Sequence, residues 1–207
     1  MAKHRESGRP NQRHRTRKDL LSAAARLLKE REGTPSMDDV AAAAMVSRAT
    51  AYRYFPTIES LLVEAPLDGA VPGPEDVFAD DATQDPAARV DRAEAALHDM
   101  CYRNAAQLRV MLAASLERAA GGAAEGVPVR QNRRTSLIKA ALEPARARFS
   151  DGAYEKLCAA LALVFGTESM IVCTDVLGVD SKHARKVKSW AVRTLVQAAL
   201  EDSRARR

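Results

Sequence analysis

Apolar residues recur along this chain at helical spacing, and the strict alternation that marks strands is almost absent, so the sequence predicts an all-α protein. Residues 1–15 are a polar arm. The first helix is expected to start at Thr16, which has the capping-box spacing to Asp19, and to stop at Gly33, a residue suited to a left-handed cap. Its stripe is Leu20, Ala24, Leu27 and Leu28. Ser36 with Asp39 opens a short second helix, with Met37, Val40, Ala41 and Ala44 facing inward. Ser47 caps a third, Val46 can staple onto Ala51, and Pro56 pushes Phe55 out of the helical region and ends it. Thr57 can cap a fourth helix that runs towards Pro66.

The pattern then breaks. Pro66, Pro72, Pro74 and Pro86, with Gly69 and Gly73 and a run of acids, predict a linker. Helical spacing resumes over residues 87–103 and 104–120, and a Gly-rich break covers 121–126. Further helices are expected over 129–149, with a kink at Pro144, over 153–177, closed by Gly178, and over 181–202, capped by Asp180. In the segment 153–177, Leu161, Val164, Glu168, Ile171 and Asp175 form one stripe and Cys158, Ala162, Phe165, Ser169, Val172 and Val176 its neighbour, and both read as faces for burial.

Composition adds that the 207 residues are globular in type, with 46% apolar, 29% charged and 4% aromatic. Cys101, Cys158 and Cys173 are odd in number, lack CxxC spacing and sit among apolar neighbours, which predicts buried thiols in a reducing compartment. The longest apolar stretch, Leu157 to Thr167, is stopped by Glu168 and is too short for a bilayer, and the basic N-terminus lacks the apolar core of a secretory signal. A cytoplasmic protein with no membrane partner is expected. Its four histidines, His4, His14, His98 and His183, are scattered, and no sequence motif of metal, nucleotide or hydrolase chemistry occurs, so no catalytic residue, metal or cofactor is predicted.

Charge changes the picture more. The net +5 is local: residues 1–18 carry seven bases (Lys3, Arg5, Arg9, Arg13, Arg15, Arg17 and Lys18) against Glu6, while residues 64–88 carry seven acids and no base. A polyanion would meet the N-terminus. The arm can lie along phosphates or serve as a solubilising tail.

Function concentrates in the third helix. At 100° per residue from Ala51, Phe55 falls at about 40°, whereas Ala49 and Arg53 fall at about 160° and 200°, with Thr50 and Tyr52 on the flanks. One face is core and the other is free. The free face offers Arg for guanine edges or phosphate, Ala for a thymine methyl, and hydroxyls for phosphate oxygens, with Arg48 in the turn that enters a major groove. The same helix also reads as a solvated amphipathic one whose aromatics pack on the first.

The run Val46-Ser47-Arg48-Ala49-Thr50-Ala51-Tyr52-Arg53-Tyr54-Phe55-Pro56, followed by Glu59 and Leu61-Leu62, resembles the helix-turn-helix signature of the TetR family of bacterial transcriptional regulators, over residues 16–64. The resemblance implies all-helical homodimers whose C-terminal domain binds a small ligand and dimerises through the last two long helices. By position, Arg48, Ala49, Thr50, Tyr52 and Tyr54 would face a DNA operator with Arg53 beside them, and Ser47 would cap the recognition helix. The implied division is a basic flexible arm (1–15), a DNA-binding domain (16–64, helix-turn-helix 36–55), an acidic linker (65–86) and a helical ligand-binding and dimerisation domain (87–207). The implied function is a ligand-responsive repressor; an architectural DNA-binding protein without ligand control and, further off, a helical enzyme are the alternatives. Two positions depart from the family: Met45 stands where Gly is usual, and Ile58 where Lys often contacts phosphate.

A ligand pocket between C-terminal helices is expected to draw on Cys101, Met111, Phe165 and Glu168, with His98 and Tyr102 as polar anchors. Glu168 could meet a ligand's polar group but is read in preference as a structural ion pair or dimer contact, and Trp190, near Val187, Ala191, Thr194 and Leu195, as core or dimer seam.

Overall fold

The computed structural model describes residues 8–30, 33–121 and 132–205, among which every regular element is helical. The elements are α1 (Gly8–Glu30), α2 (Met37–Ala43), α3 (Arg48–Tyr54), α4 (Ile58–Ala70), α5 (Pro74–Phe78), α6 (Pro86–Arg103), α7 (Ala105–Ala120), α8 (Arg134–Leu142), α9 (Asp151–Val164), α10 (Thr167–Ile171) and α11 (Ser181–Ala205). A 3₁₀ segment, Glu143–Arg148, continues α8, and a π turn, Val172–Val176, continues α10. Two compact units form, one within residues 1–70 and 106–131, the other within 71–105 and 132–207. Most of α7 therefore groups with the N-terminal helices rather than with the predicted domain 87–207.

In the first unit, α1 starts at Gly8 and not at Thr16. Thr16 Oγ1 donates to the Gln12 carbonyl at 3.1 Å, a back-bond of a helix interior rather than a cap. Gln12, Arg13 and Arg15 before it are good helix formers, and Pro10 falls in the first turn, where no N–H is needed. Residues 8–15 of the expected flexible arm are thus helical, and residues 1–7 lie outside the described residues. Leu20, Leu21, Ala24 and Leu27 enter a core with Val40 and Ala41 of α2, Ala51 of α3 and Leu61 and Ala65 of α4. Leu28, expected in that stripe, stays 38% exposed.

Arg17 also departs from the reading of the arm as a row of phosphate contacts. It is buried, its Nη2 lies 2.6 Å from Glu64 Oε2 on α4, and its guanidinium covers the Phe55 ring at 4.1 Å. One contact ties α1, α4 and the residue that ends α3.

The predicted linker 65–86 is structured. α4 continues through Pro66 to Ala70, and α5 follows with Pro74 in its first turn and the Gly73 N–H donating to Asp76 Oδ2 at 2.7 Å. In the second unit Asp81 is buried and receives Arg89 at 3.3 Å and Arg92 at 3.1 Å. Arg89 Nε donates to the Ala141 carbonyl and its Nη2 to that of Ala140, while the guanidinium stacks on Phe78 at 4.1 Å. Of the acids that looked like a negative trough, Glu64 and Asp81 are in buried pairs and Asp76 and Asp85 cap helices.

The kink expected at Pro144 is replaced by a change of helix type: α8 ends at Leu142 and the chain continues as 3₁₀ over Glu143–Arg148. The predicted helix 153–177 is broken. Phe165 is extended at φ −84°, ψ 138° and wholly buried, and Gly166 takes φ 94°. Arg134 of α8 explains both, because its Nη2 lies 3.1 Å from where a Cβ on residue 166 would stand, its Nη1 donates to the Ala162 carbonyl at 2.7 Å, and Nη2 meets Glu168 Oε2 at 2.6 Å. The two expected stripes do not run through this break, and Val172 and Val176 end up exposed. No single helix among the described residues is long and apolar enough to cross a membrane.

Replacing Glu64 with Leu strands the buried Arg17 charge and should cost about 3–5 kcal/mol in urea unfolding, with most of it recovered in the double variant Arg17→Met, Glu64→Leu, where no charge remains to desolvate.

Candidate nucleic-acid interface

The turn between α2 and α3 is built by backbone hydrogen bonds. Val46 N–H donates to the Ala41 carbonyl at 3.0 Å and Met45 N–H to that of Ala42 at 3.1 Å, the paired bonds of a Schellman ending. Such an ending needs a left-handed residue, and Met45 supplies it at φ 55° while remaining 92% exposed. The geometry a glycine would provide is kept, with the strain carried by methionine.

Both short helices start on the side chains the sequence marks. Ser36 Oγ accepts from the Asp39 N–H at 3.2 Å while Asp39 Oδ2 accepts from the Ser36 N–H at 3.0 Å. Ser47 Oγ accepts from the Thr50 N–H at 3.1 Å and donates to Thr50 Oγ1 at 2.9 Å. Phe55 leaves the helix at φ −131°, ψ 106° before Pro56.

α3 presents two faces. Ala51, Tyr54 and Phe55 are buried in the core, whereas Ser47, Arg48, Ala49, Tyr52 and Arg53 are exposed and Thr50 is half-buried. Tyr54 corrects the position-by-position expectation that it faces DNA: at 2% exposure it packs inside the domain, one helical step from Ala51 and Phe55 on the inner wedge. Ile58, where a phosphate-binding Lys is common, packs half-buried against the same core.

Arg48 is oriented before any partner arrives. Its Nε lies 3.1 Å from Asp38 Oδ1 on α2 and its guanidinium sits 5.5 Å above the Tyr52 ring. The hydrogen bond to Tyr52, and then the Asp38 charge, hold its pKa above the ordinary arginine value. Both members of the ion pair are mostly exposed, so its energy is small and its effect is on direction. The exposed surface of α3 thus combines a planar donor fork, a methyl group at Ala49 and hydroxyls at Thr50 and Tyr52, the set that reads base edges and anchors phosphates.

The residues expected around a ligand divide between the units. Met111 lies in the first, and His98, Cys101, Tyr102, Phe165 and Glu168 lie in the second. There His98 is buried with Nε2 3.1 Å from Ser181 Oγ and Nδ1 3.4 Å from Lys188 Nζ, and the Tyr102 ring is 4.3 Å from its own. Burial, reinforced by the Lys188 and Arg185 charges against the weaker pull of Asp99, lowers its pKa to about 4. Cys101 is buried, with its thiol pushed up to about 11 by desolvation, an inert setting. Phe165 is core, and Glu168 is held by Arg134.

Sequence reasoning missed the buried ion cluster beside His98. Lys188 Nζ meets Glu94 Oε1 at 2.6 Å, Arg185 reaches Glu94 at 3.3 Å and Asp91 at 2.6 Å, and Arg193 reaches Asp91 at 2.7 Å. Desolvation outweighs the Lys188 ammonium and holds the Glu94 carboxyl above its ordinary range. A signal existed: Asp91, Glu94 and His98 fall on one stripe of α6, and Ser181, Arg185 and Lys188 on one stripe of α11.

Residues 20–65, 46 of the 207, match the sequence model of a family described as "Bacterial regulatory proteins, tetR family". The match runs from Leu20 of α1 to Ala65 of α4 and encloses the whole turn and both short helices. No curated protein and no solved structure matches the chain.

Met45→Gly should raise stability by about 0.5–1 kcal/mol in thermal unfolding, since relief of left-handed strain exceeds the added chain entropy, while Met45→Val should lower it.

Proposed function

We propose, from the premise that residues 20–65 make this chain a DNA-binding transcriptional regulator of the bacterial tetR family, that it works as a homodimeric, ligand-responsive repressor in the cytoplasm. The observation that carries the reading is the exposed face of α3, with Arg48 already directed by Asp38 and Tyr52. In the dimer two copies of α3 read half-sites of a pseudopalindrome about 34–36 Å apart. Ser47, Arg48, Ala49, Thr50, Tyr52 and Arg53 form the reading surface, and Arg53 takes the phosphate that Ile58 cannot.

Support for the dimer comes from apolar side chains left uncovered on the last helices. Trp190 is 69% exposed on α11, which removes the core reading of that residue, and Val187 on the same face is exposed with it. Leu163 on α9 and Val176 and Leu177 beyond α10 are exposed too. A second copy seated on these helices would bury them.

The effector's site is proposed in the second unit. A ligand using His98 or Glu168 there must displace Ser181 or Arg134, and that exchange of internal partners for ligand contacts is a way to favour one conformer over another. α4, from which the chain enters the second unit at residue 71, is the lever.

A gel-shift assay on DNA upstream of its own gene should give a specific complex, and Arg48→Ala should weaken it by about 1–3 kcal/mol while binding to random DNA changes less; equal losses on both would reduce Arg48 to a phosphate contact. Sedimentation should show a dimer that Trp190→Arg converts to monomer, and a monomeric parent protein would end the two-half-site reading.

A further inference from the structure

A cavity of about 490 Å³ lies wholly within the first unit, between the start of α4, the end of α3, Arg17 of α1 and one side of α7. Its size suits a small molecule. Phe55, Val63, Val110, Met111 and Ala114 make its walls mainly apolar. Among its lining residues the sole base is Arg17, which is already bound to Glu64 at 2.6 Å, so these two cancel. Two further carboxylates remain, Glu59 on α4 and Glu117 on α7, both on exposed residues. The lining therefore carries a net negative charge over an apolar interior, in a chain whose net charge is +5.

We infer that this cavity is a binding site for a small lipophilic cation. The apolar walls take up the hydrocarbon or aromatic body, and the Glu59 and Glu117 carboxylates compensate the charge at the mouth, where solvent access lowers the cost of leaving water. An anion of the same shape meets two carboxylates and an arginine that is already committed. The cavity wall includes Phe55, Pro56 and Thr57, the residues that end α3 and begin α4, so an occupant touches the joint from which the reading helix is hung. The site is lined by the first unit alone and stands or falls apart from the effector site proposed above.

Isothermal titration calorimetry of the full-length protein with tetraphenylphosphonium and with its isosteric anion tetraphenylborate tests this directly. The expected result is saturable binding of the cation at one site per chain, at least tenfold tighter than the anion. Ala114→Phe, which fills the cavity from an exposed position, should weaken the cation at least tenfold, and the pair Glu59→Gln, Glu117→Gln should erase the preference for it. Unchanged circular dichroism and thermal midpoint establish that both variants are folded. Absence of cation binding, equal affinity for the anion, or binding untouched by Ala114→Phe would each overturn the assignment, the last by placing the cation elsewhere on the chain.

Discussion

The first unit depends on a charge that has been taken out of water and given back its partner. Arg17 and Glu64, 47 positions apart, meet at 2.6 Å with almost no exposure, and the guanidinium lies over the Phe55 ring at 4.1 Å. Neither ion is affordable alone in that place, so α1 and α4 are fixed in register by the requirement that the charges find each other. Phe55 extends the constraint to α3, because the aromatic ring that ends that helix is clamped from above by the same guanidinium. The exposed face of α3 is therefore braced from behind by Arg17, a residue that is itself buried. α3 and α4 are joined by this contact and by the core that Ala51 and Phe55 share with Leu61 and Ala65.

Electrostatics elsewhere follows the same rule of local neutralisation. Asp81 with Arg89 and Arg92, and Glu168 with Arg134, pair acids that in the sequence read as part of a negative trough or as a lone carboxylate, and Glu94 with Lys188 and Arg185 adds a cluster the sequence did not reveal. Arg89 and Arg134 do more than pair. Each also caps carbonyls of a neighbouring helix, at Ala140 and Ala141 in one case and Ala162 in the other, and so holds irregular backbone that has no helical partner of its own. Arginine is suited to this because its fork offers several donors in fixed directions.

These cases separate what was legible in the sequence from what was not. The caps at Ser36 and Ser47, the stop at Phe55 and the inner wedge of Ala51 were readable, since each is set by residues within one or two turns. Arg17 was not, because it sits in a run of bases and only Glu64, brought by folding, distinguishes it from them. Tyr54 looked outward by its place in the family pattern and is inward by its angle on the helix, and the angular argument applied to its neighbours covers it as well. The break at Gly166 hid inside two regular apolar stripes, for its cause is a side chain on another helix. Met45 was legible as a conflict, and the backbone bonds to Ala41 and Ala42 decided it in favour of the left-handed turn.

Trp190 has an optical consequence. It is the single tryptophan of the chain, and it is 69% exposed on α11. An indole this open to water has surroundings close to those of an unfolded chain, so intrinsic fluorescence excited at the indole band should report little of the melting of the Arg17 core. What that signal does follow is whatever comes to cover α11, and the chain thereby carries its own dye for one face and none for the other.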